Sequence, residues 1–243
     1  MISTTSGPRH GDVTGEPLLF DSDFRYTDRI SKAEYVWRKY APILRGATIL
    51  DVGGDECYLK RHLDPHARYW GVGRGGSPDQ EIDLEQGVLP FPDRSFQCVL
   101  CLDVLEHVEQ IHAIFDQLCR VADRHVVIAL PNPWATFWRM LRKRDHDAQR
   151  PLKFYGLPVD QPLDRHRWFF GADDARQFIA QRAERNSFRV LQMDFGRDDP
   201  RRWGWLTRLK RRLQTMGLRG DVDRVNLYGR SVWAVLERAE KPE

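Results

Sequence analysis

The chain has 243 residues, a formal net charge of +3, 41% hydrophobic residues and 30% charged ones. This composition is that of a folded chain with a charge-rich surface and excludes an intrinsically disordered one. No apolar run approaches the ~20 residues of a membrane-spanning helix, and residues 1–20 lack the charged-then-apolar pattern of a secretory leader, so the expected compartment is the cytoplasm.

Residues 1–22 are rich in Ser, Thr, Gly and Pro and read as a flexible arm. Residues 23–243 read as a single domain. Ile30, Ala33, Val36, Trp37 and Tyr40 recur at helical spacing, which predicts a helix within 23–44 that Pro42 ends. A short apolar strand follows at 48–52, then the turn Gly53-Gly54, then a helix through Leu63. Further strands are expected at 68–74, 81–84 and 97–103, with a proline-punctuated loop at 87–96. A helix over 105–122 and a strand at 125–131 complete the regular alternation. Such alternation indicates βαβ units and a parallel sheet. The run Val126-Val127-Ile128-Ala129-Leu130 suits a strand covered on both faces.

Beyond Pro131 the rhythm stops. Residues 132–170 read as an insertion that opens with a short Trp-rich helix and should fold back over the sheet edge. A helix resumes after Gly171, a strand follows at 188–195, and a second basic, aromatic insertion occupies about 196–226. The last strand is expected at 231–238.

Of the four cysteines, Cys98 and Cys101 form a C-x-x-C inside an apolar strand. Strand positions three apart face opposite sides of the sheet, so the two sulfurs cannot converge on a metal or a disulfide. Cys98 and Cys101 read as small buried hydrophobes, and with Cys57 and Cys119 a disulfide framework is not expected.

Asp51 stands at the C-terminal end of the first strand, where open α/β sheets bind their ligands. The turn after it does not match the dinucleotide fingerprint G-x-G-x-x-G. Asp55 and Glu56 would also repel a pyrophosphate at a helix N-terminus. A cationic ligand is favoured over an anionic one.

The stretch ILDVGGDECYL and, more specifically, DLEQGVLPFPDRSFQCVLCLDVLEHV (83–108) resemble the class I S-adenosylmethionine-dependent methyltransferases, of the ubiquinone-biosynthesis-like small-molecule type. The resemblance covers about 48–132. It implies an α/β fold with a Rossmann-like, doubly wound, mostly parallel seven-stranded sheet, an antiparallel last strand, and two helical insertions forming a lid. It implies S-adenosylmethionine as cofactor. Gly53 and Gly54 would admit its methionine end and Asp51 would orient its amino group. Asp83 would accept from the adenine amino group, with Leu84 against the ring. Leu102 and Asp103 would line the methionine side, and Asp55, Gly73 and Arg74 complete the expected set. Asp55 and Cys57 stand where the family has glycines. Gly73 replaces the acidic residue that grips the ribose, a role left open to Glu56 or another acid.

Methyl transfer to oxygen or nitrogen needs a positioned acceptor and a route for its proton. His107 and His166 are the candidate catalytic residues, with His146 a third histidine of interest. For His107 a backbone hydrogen bond at a helix start stands as the alternative. For His166 it is an anchoring hydrogen bond to Asp164. Asp145-His146-Asp147 reads as a solvated loop, and no residues have metal-ligand spacing. The expected reaction is O-methylation of a small molecule or glycan.

Two basic, Trp-bearing helices, one with Trp134, Phe137, Trp138, Leu141 and Arg139, the other with Leu206, Leu209, Leu213, Met216, Arg208, Lys210, Arg211 and Arg212, suit either mutual packing as lids or peripheral contact with an anionic membrane and a lipid-linked acceptor. Nucleic acid ranks last as a partner. A non-catalytic binding or partner subunit of the same fold is the competing reading, and oligomeric state is not legible.

Overall fold

A computed structural model of the chain describes residues 17–143, 154–162, 164–215 and 224–240. The first helix, α1 (Arg29–Leu44), begins just ahead of Ile30, where the apolar spacing starts, because Asp28 caps it. The Asp28 side chain accepts from the Ser31 amide at 2.8 Å, and Ser31 Oγ accepts from the Asp28 amide at 3.2 Å. This reciprocal arrangement satisfies two amides that have no partner inside the helix. Pro42 marks the end of the helix as expected. It sits in the last turn, and the helix closes two residues later at Leu44.

Among the described residues there are seven strands, β1 (Thr48–Val52), β2 (Arg68–Gly73), β3 (Gln80–Glu81), β4 (Phe96–Leu102), β5 (Ala122–Pro131), β6 (Phe188–Asp194) and β7 (Ser231–Arg238). They form one sheet in the order β3-β2-β1-β4-β5-β7-β6. The pairs among β1 to β5 are parallel. The last strand, β7, is antiparallel to both neighbours, β5 and β6. The order reverses between β1 and β4, so a crevice opens beyond their carboxyl ends.

The side-chain alternation of the central strands divides the core in two. Val99, Cys101, Val126 and Ile128 face α2 (Ile111–Val121) and α4 (Ala172–Arg185) through Ile114, Phe115, Leu118, Ala175 and Ile179. Cys98, Leu100 and Val127 face α1 through Tyr35, Val36, Tyr40 and Leu44, with Trp233 of β7 among them. Cys98 and Cys101 therefore lie on opposite faces, and all four cysteines are buried and free. The expected helix over 105–122 is divided: a 3-10 turn at Leu105–His107 precedes α2. The third strand is shorter than expected, and residues 84–86 form a 3-10 turn.

One ion pair lies inside the second core layer. Lys39 Nζ of α1 meets Asp194 Oδ1 at the end of β6 at 2.6 Å, with side-chain exposures of 0% and 2%. Gln192 Nε2 and the Gly196 amide also donate to Asp194. Gln192 in turn holds the backbone of Phe20, accepting from its amide at 2.9 Å and donating to its carbonyl at 2.8 Å. Phe20, expected at the end of a flexible arm, is instead buried against Tyr40.

The helices α3 (Pro133–Lys143), α5 (Trp205–Thr215) and α6 (Arg224–Tyr228) belong to the two insertions. Among the described residues, neither α3 nor α5 covers the crevice as a lid would, since none of their described side chains lines it. Trp205, Leu206, Leu209 and Leu213 of α5 are exposed, as are Trp134, Phe137 and Leu141 of α3. Among the described residues, no helix is long and apolar enough to cross a membrane.

Candidate active site

A cleft of about 1210 Å³ runs along the carboxyl edge of the sheet, from the turn after β1 to the segment 154–167. One end gathers the residues expected to bind the cofactor. Asp51, Gly53, Gly54, Asp55, Gly73, Arg74, Asp83, Leu84, Leu102 and Asp103 all line it. The N-terminal turn of α1 adds Arg29 and Lys32, which carried no signal in the sequence.

The Asp51 carboxylate is buried and accepts from the Tyr69 hydroxyl at 2.6 Å. Burial pushes its pKa up to about 6, against the downward pull of Tyr69 and Lys32. Gly53 has φ +81, and a Cβ there would lie 2.2 Å from Val104 Cγ2. Only glycine lets the chain turn between β1 and the Val104 side chain.

Asp55 and Cys57 both take φ +51, in the left-handed region. The backbone at these two positions thus follows the path that glycines would take, at a cost of ~1–2 kcal/mol each. This corrects the expected helix through Leu63. Between left-handed Cys57 and Pro65 the chain has room only for a 3-10 turn at Tyr58–Arg61. The segment that follows the turn therefore offers no α-helix N-terminus, the anchor that a pyrophosphate would use; the first turn of α1 reaches the site instead, with Arg29 paired to Asp55.

Three of the acidic residues have partners of their own within the protein. Glu56 does not line the cleft and instead accepts from Ser77 Oγ at 3.0 Å. Asp83 accepts from the Glu85 amide at 3.2 Å and lies 3.6 Å from Arg74 Nη1, so the arginine after β2 serves a carboxylate rather than a phosphate. Asp103 has φ +58 and pairs through Oδ2 with Lys32 Nζ at 2.7 Å, while its buried Oδ1 has no hydrogen-bond partner.

The other end of the cleft is built by residues 154–162 and 164–168 folding back over Leu105–His107. The Arg167 amide donates to the Glu106 carbonyl at 2.7 Å and Trp168 Nε1 to the Val108 carbonyl at 2.8 Å. His107 and His166 are brought together, ring centroids 4.5 Å apart. Asp164 does not anchor His166 as the sequence suggested. Its Oδ1 lies 2.6 Å from His107 Nδ1. His166 Nδ1 instead meets the Tyr155 hydroxyl at 2.7 Å, and its ring stacks on Phe154 at 4.3 Å. Burial, and then the neighbouring His107, push the His166 pKa down to about 4.

Glu106 stands between them, 1% exposed. Burial and the charge of Asp103 hold its pKa well above the usual carboxylate range. In the sequence it was passed over as part of a helix start. Its signal was present in Leu-Glu-His-Val, but its burial depends on a segment about sixty residues away. The sequence shows no metal-ligand spacing, yet in space Glu106, His107 and His166 place ligand atoms within 4.8 Å of one another. His146, with Asp145 and Asp147, lies outside the described residues, as do Arg144 and Met216.

A second hollow, among Arg94, Asp123, Arg124, Arg189, Glu237 and Arg238, opens at the opposite end of the sheet. Its charges are engaged with one another, Glu237 with Arg189 at 2.6 Å and Arg124 at 3.8 Å.

Comparison with known proteins gives one family. A family model described as a methyltransferase domain matches residues 26–192. Among solved structures, an S-adenosylmethionine-dependent methyltransferase from Archaeoglobus fulgidus is similar over 86% of this chain and 94% of its own, with TM-score 0.53 and 16% identity. One from Mesorhizobium loti is similar over 85% and 98%, with TM-score 0.51 and 15% identity. At these identities the likeness is one of fold. No curated protein matches the sequence.

Proposed function

The chain belongs to the methyltransferase-domain family, class I and S-adenosylmethionine-dependent, and from that premise we propose that it methylates an acceptor hydroxyl of a small molecule or glycan. One observation carries this reading: a single cleft joins the cofactor residues after β1, β2 and β4 to a polar cluster of Glu106, His107 and His166. When bound, the cofactor supplies an electrophilic methyl group on a sulfonium. The chain's own groups suit that ligand. Gly53 and Gly54 let backbone amides approach it, and Asp51 offers a carboxylate for its amino group, while Arg29 and Lys32 are paired with Asp55 and Asp103 at the cleft's edge. Leu84 and Leu102 supply apolar walls. The acceptor would lie toward His107 and His166, where a hydroxyl proton has nitrogen and carboxylate neighbours.

The test is calorimetry with S-adenosylhomocysteine. Binding by the wild type is expected, with Asp83→Ala weakening it about tenfold, the loss of one hydrogen bond to the adenine. A wild-type chain that does not bind would end the proposal.

A second reading concerns where the acceptor resides. Leu206, Leu209 and Leu213 lie along one side of α5, at 63%, 48% and 58% exposure, beside Arg208, Lys210 and Arg212. No described residue covers them. An exposed apolar stripe with flanking cations suits the surface of an anionic membrane, and with it a lipid-linked acceptor.

A further inference from the structure

The polar end of the cleft contains more order than acid–base chemistry requires. Both histidines direct the same nitrogen, Nε2, toward one carboxylate. His107 Nε2 lies 3.7 Å and His166 Nε2 4.0 Å from Glu106 Oε1. The opposite nitrogen of each ring is held from outside, His107 Nδ1 by Asp164 at 2.6 Å and His166 Nδ1 by the Tyr155 hydroxyl at 2.7 Å. Outer partners of this kind fix the tautomer and the ring angle of metal-binding histidines.

Glu106 provides an independent sign. Its side chain is 1% exposed, and Oε2 has no hydrogen-bond partner. A buried carboxylate oxygen without a donor is costly. The nearby lysine does not satisfy it, because Lys32 is engaged with Asp103. Among the described residues, its ion-pair partners are the two histidines alone.

We infer that Glu106, His107 and His166 form a binding site for one divalent transition-metal ion in the acceptor end of the cleft. Three ligand atoms bound at ~2.0–2.2 Å to one ion lie roughly 3.0–3.6 Å apart. The three atoms here lie within 4.8 Å of one another, so inward movement of about an ångström closes the site. Two imidazoles and one carboxylate suit Zn²⁺, Mn²⁺ or Fe²⁺, whereas Mg²⁺ and Ca²⁺ prefer oxygen donors throughout. All three residues line the cleft, so the ion's remaining positions face the cavity. Resting on the methyltransferase reading, those positions would take the acceptor oxygen, and the ion would lower the pKa of its hydroxyl. The acceptor class then narrows to hydroxyl compounds able to ligate a metal. The role of His166 becomes that of a ligand rather than a free base.

The experiment uses the full chain, stripped of metal and titrated with Zn²⁺ by calorimetry and with Co²⁺ by its visible absorption band. One equivalent should bind. His107→Ala and His166→Ala should weaken binding at least 100-fold. Asp164→Asn and Tyr155→Phe, which leave all three ligands in place, should weaken it about 10–100-fold. Thermal melts of the metal-free variants separate loss of the site from loss of the fold, and Tyr155→Phe keeps the test sharp if a histidine variant unfolds. S-adenosylhomocysteine calorimetry on the same samples separates the two proposals. Intact cofactor binding without uptake of either metal overturns the metal site alone. Ala variants that bind as tightly as the wild type overturn it as well.

Discussion

Replacing Asp51 by asparagine should stabilise this protein at neutral pH and leave its stability in acid nearly unchanged. The carboxyl has a pKa of about 6 in the fold, against an ordinary value of 3.8. The raised value means that the fold favours the protonated form. Below about pH 4 the folded and unfolded chains both carry the proton, and the site costs nothing. Between about 4 and 6 the unfolded chain releases its proton first, so stability falls as the pH rises. Above 6 the loss levels off. A shift of about two units corresponds to about 3 kcal/mol at 1.36 kcal/mol per unit. Asparagine is neutral throughout and keeps an acceptor oxygen for the Tyr69 hydroxyl, which now donates to Asp51 at 2.6 Å. Urea unfolding at pH 4.5 and pH 7.5 should therefore show the variant gaining up to about 3 kcal/mol on the wild type at the higher pH and much less at the lower. For a chain of this size that is about 6–12 °C in Tm. Cofactor affinity should fall in the same variant, since its amino group loses the charge it would meet. A stability difference that does not change with pH, or a loss of stability at pH 7.5, would show that Tyr69 and Lys32 already compensate the buried charge.

Lys39→Met should cost about 3–5 kcal/mol in denaturant unfolding, because it leaves the Asp194 carboxylate buried without its cation. Adding Asp194→Asn to that variant should recover part of the loss, and no recovery would count against the ion-pair argument. Gly53→Ala should lower stability by ~2–5 kcal/mol, from the left-handed backbone and the clash with Val104 together. Val104→Ala in the same chain should relieve only the steric part, and a Gly53→Ala protein that melts with the wild type would refute the reasoning. Flotation on vesicles containing phosphatidylserine should recover the wild type, while an Arg208→Ala, Lys210→Ala, Arg212→Ala variant should partition about 100-fold less, at ~1 kcal/mol per basic residue. Equal partitioning of the two would remove the membrane reading.

The sheet was legible because its strands are short apolar runs separated by turn residues, and the burial of Val126 through Leu130 follows from that pattern. The 3-10 turn after Gly54 was not legible. It follows from left-handed conformations at Asp55 and Cys57, and neither side chain advertises positive φ as a glycine does. The positions of Asp51, Asp83 and Asp103 along the cleft follow from their places at strand ends. The partner choices at the other end could not be read from spacing. Asp164 and His166 are two apart and looked like a pair, yet Asp164 meets His107 and His166 meets Tyr155. Those contacts are decided by how a segment returns across the sheet, and local periodicity carries no record of that. Likewise the apolar stripe of α5 predicts a helix but not whether a neighbour covers it.

The position of β7 has a consequence for how the protein is made. The last of the described strands along the chain lies between β5 and β6 rather than at an edge. Until residues 231–238 leave the ribosome, β5 has no neighbour on one side and β6 has none at all. At about 5–20 residues per second, the interval between completing β5 and completing β7 is roughly 5–20 s. During that time the strand Val126-Val127-Ile128-Ala129-Leu130 presents an open, strongly apolar edge, which is a template for pairing with another chain. The nascent protein should therefore depend on chaperones more than its finished sheet would suggest, and variants that slow synthesis between Pro131 and Ser231 should aggregate without any loss of equilibrium stability.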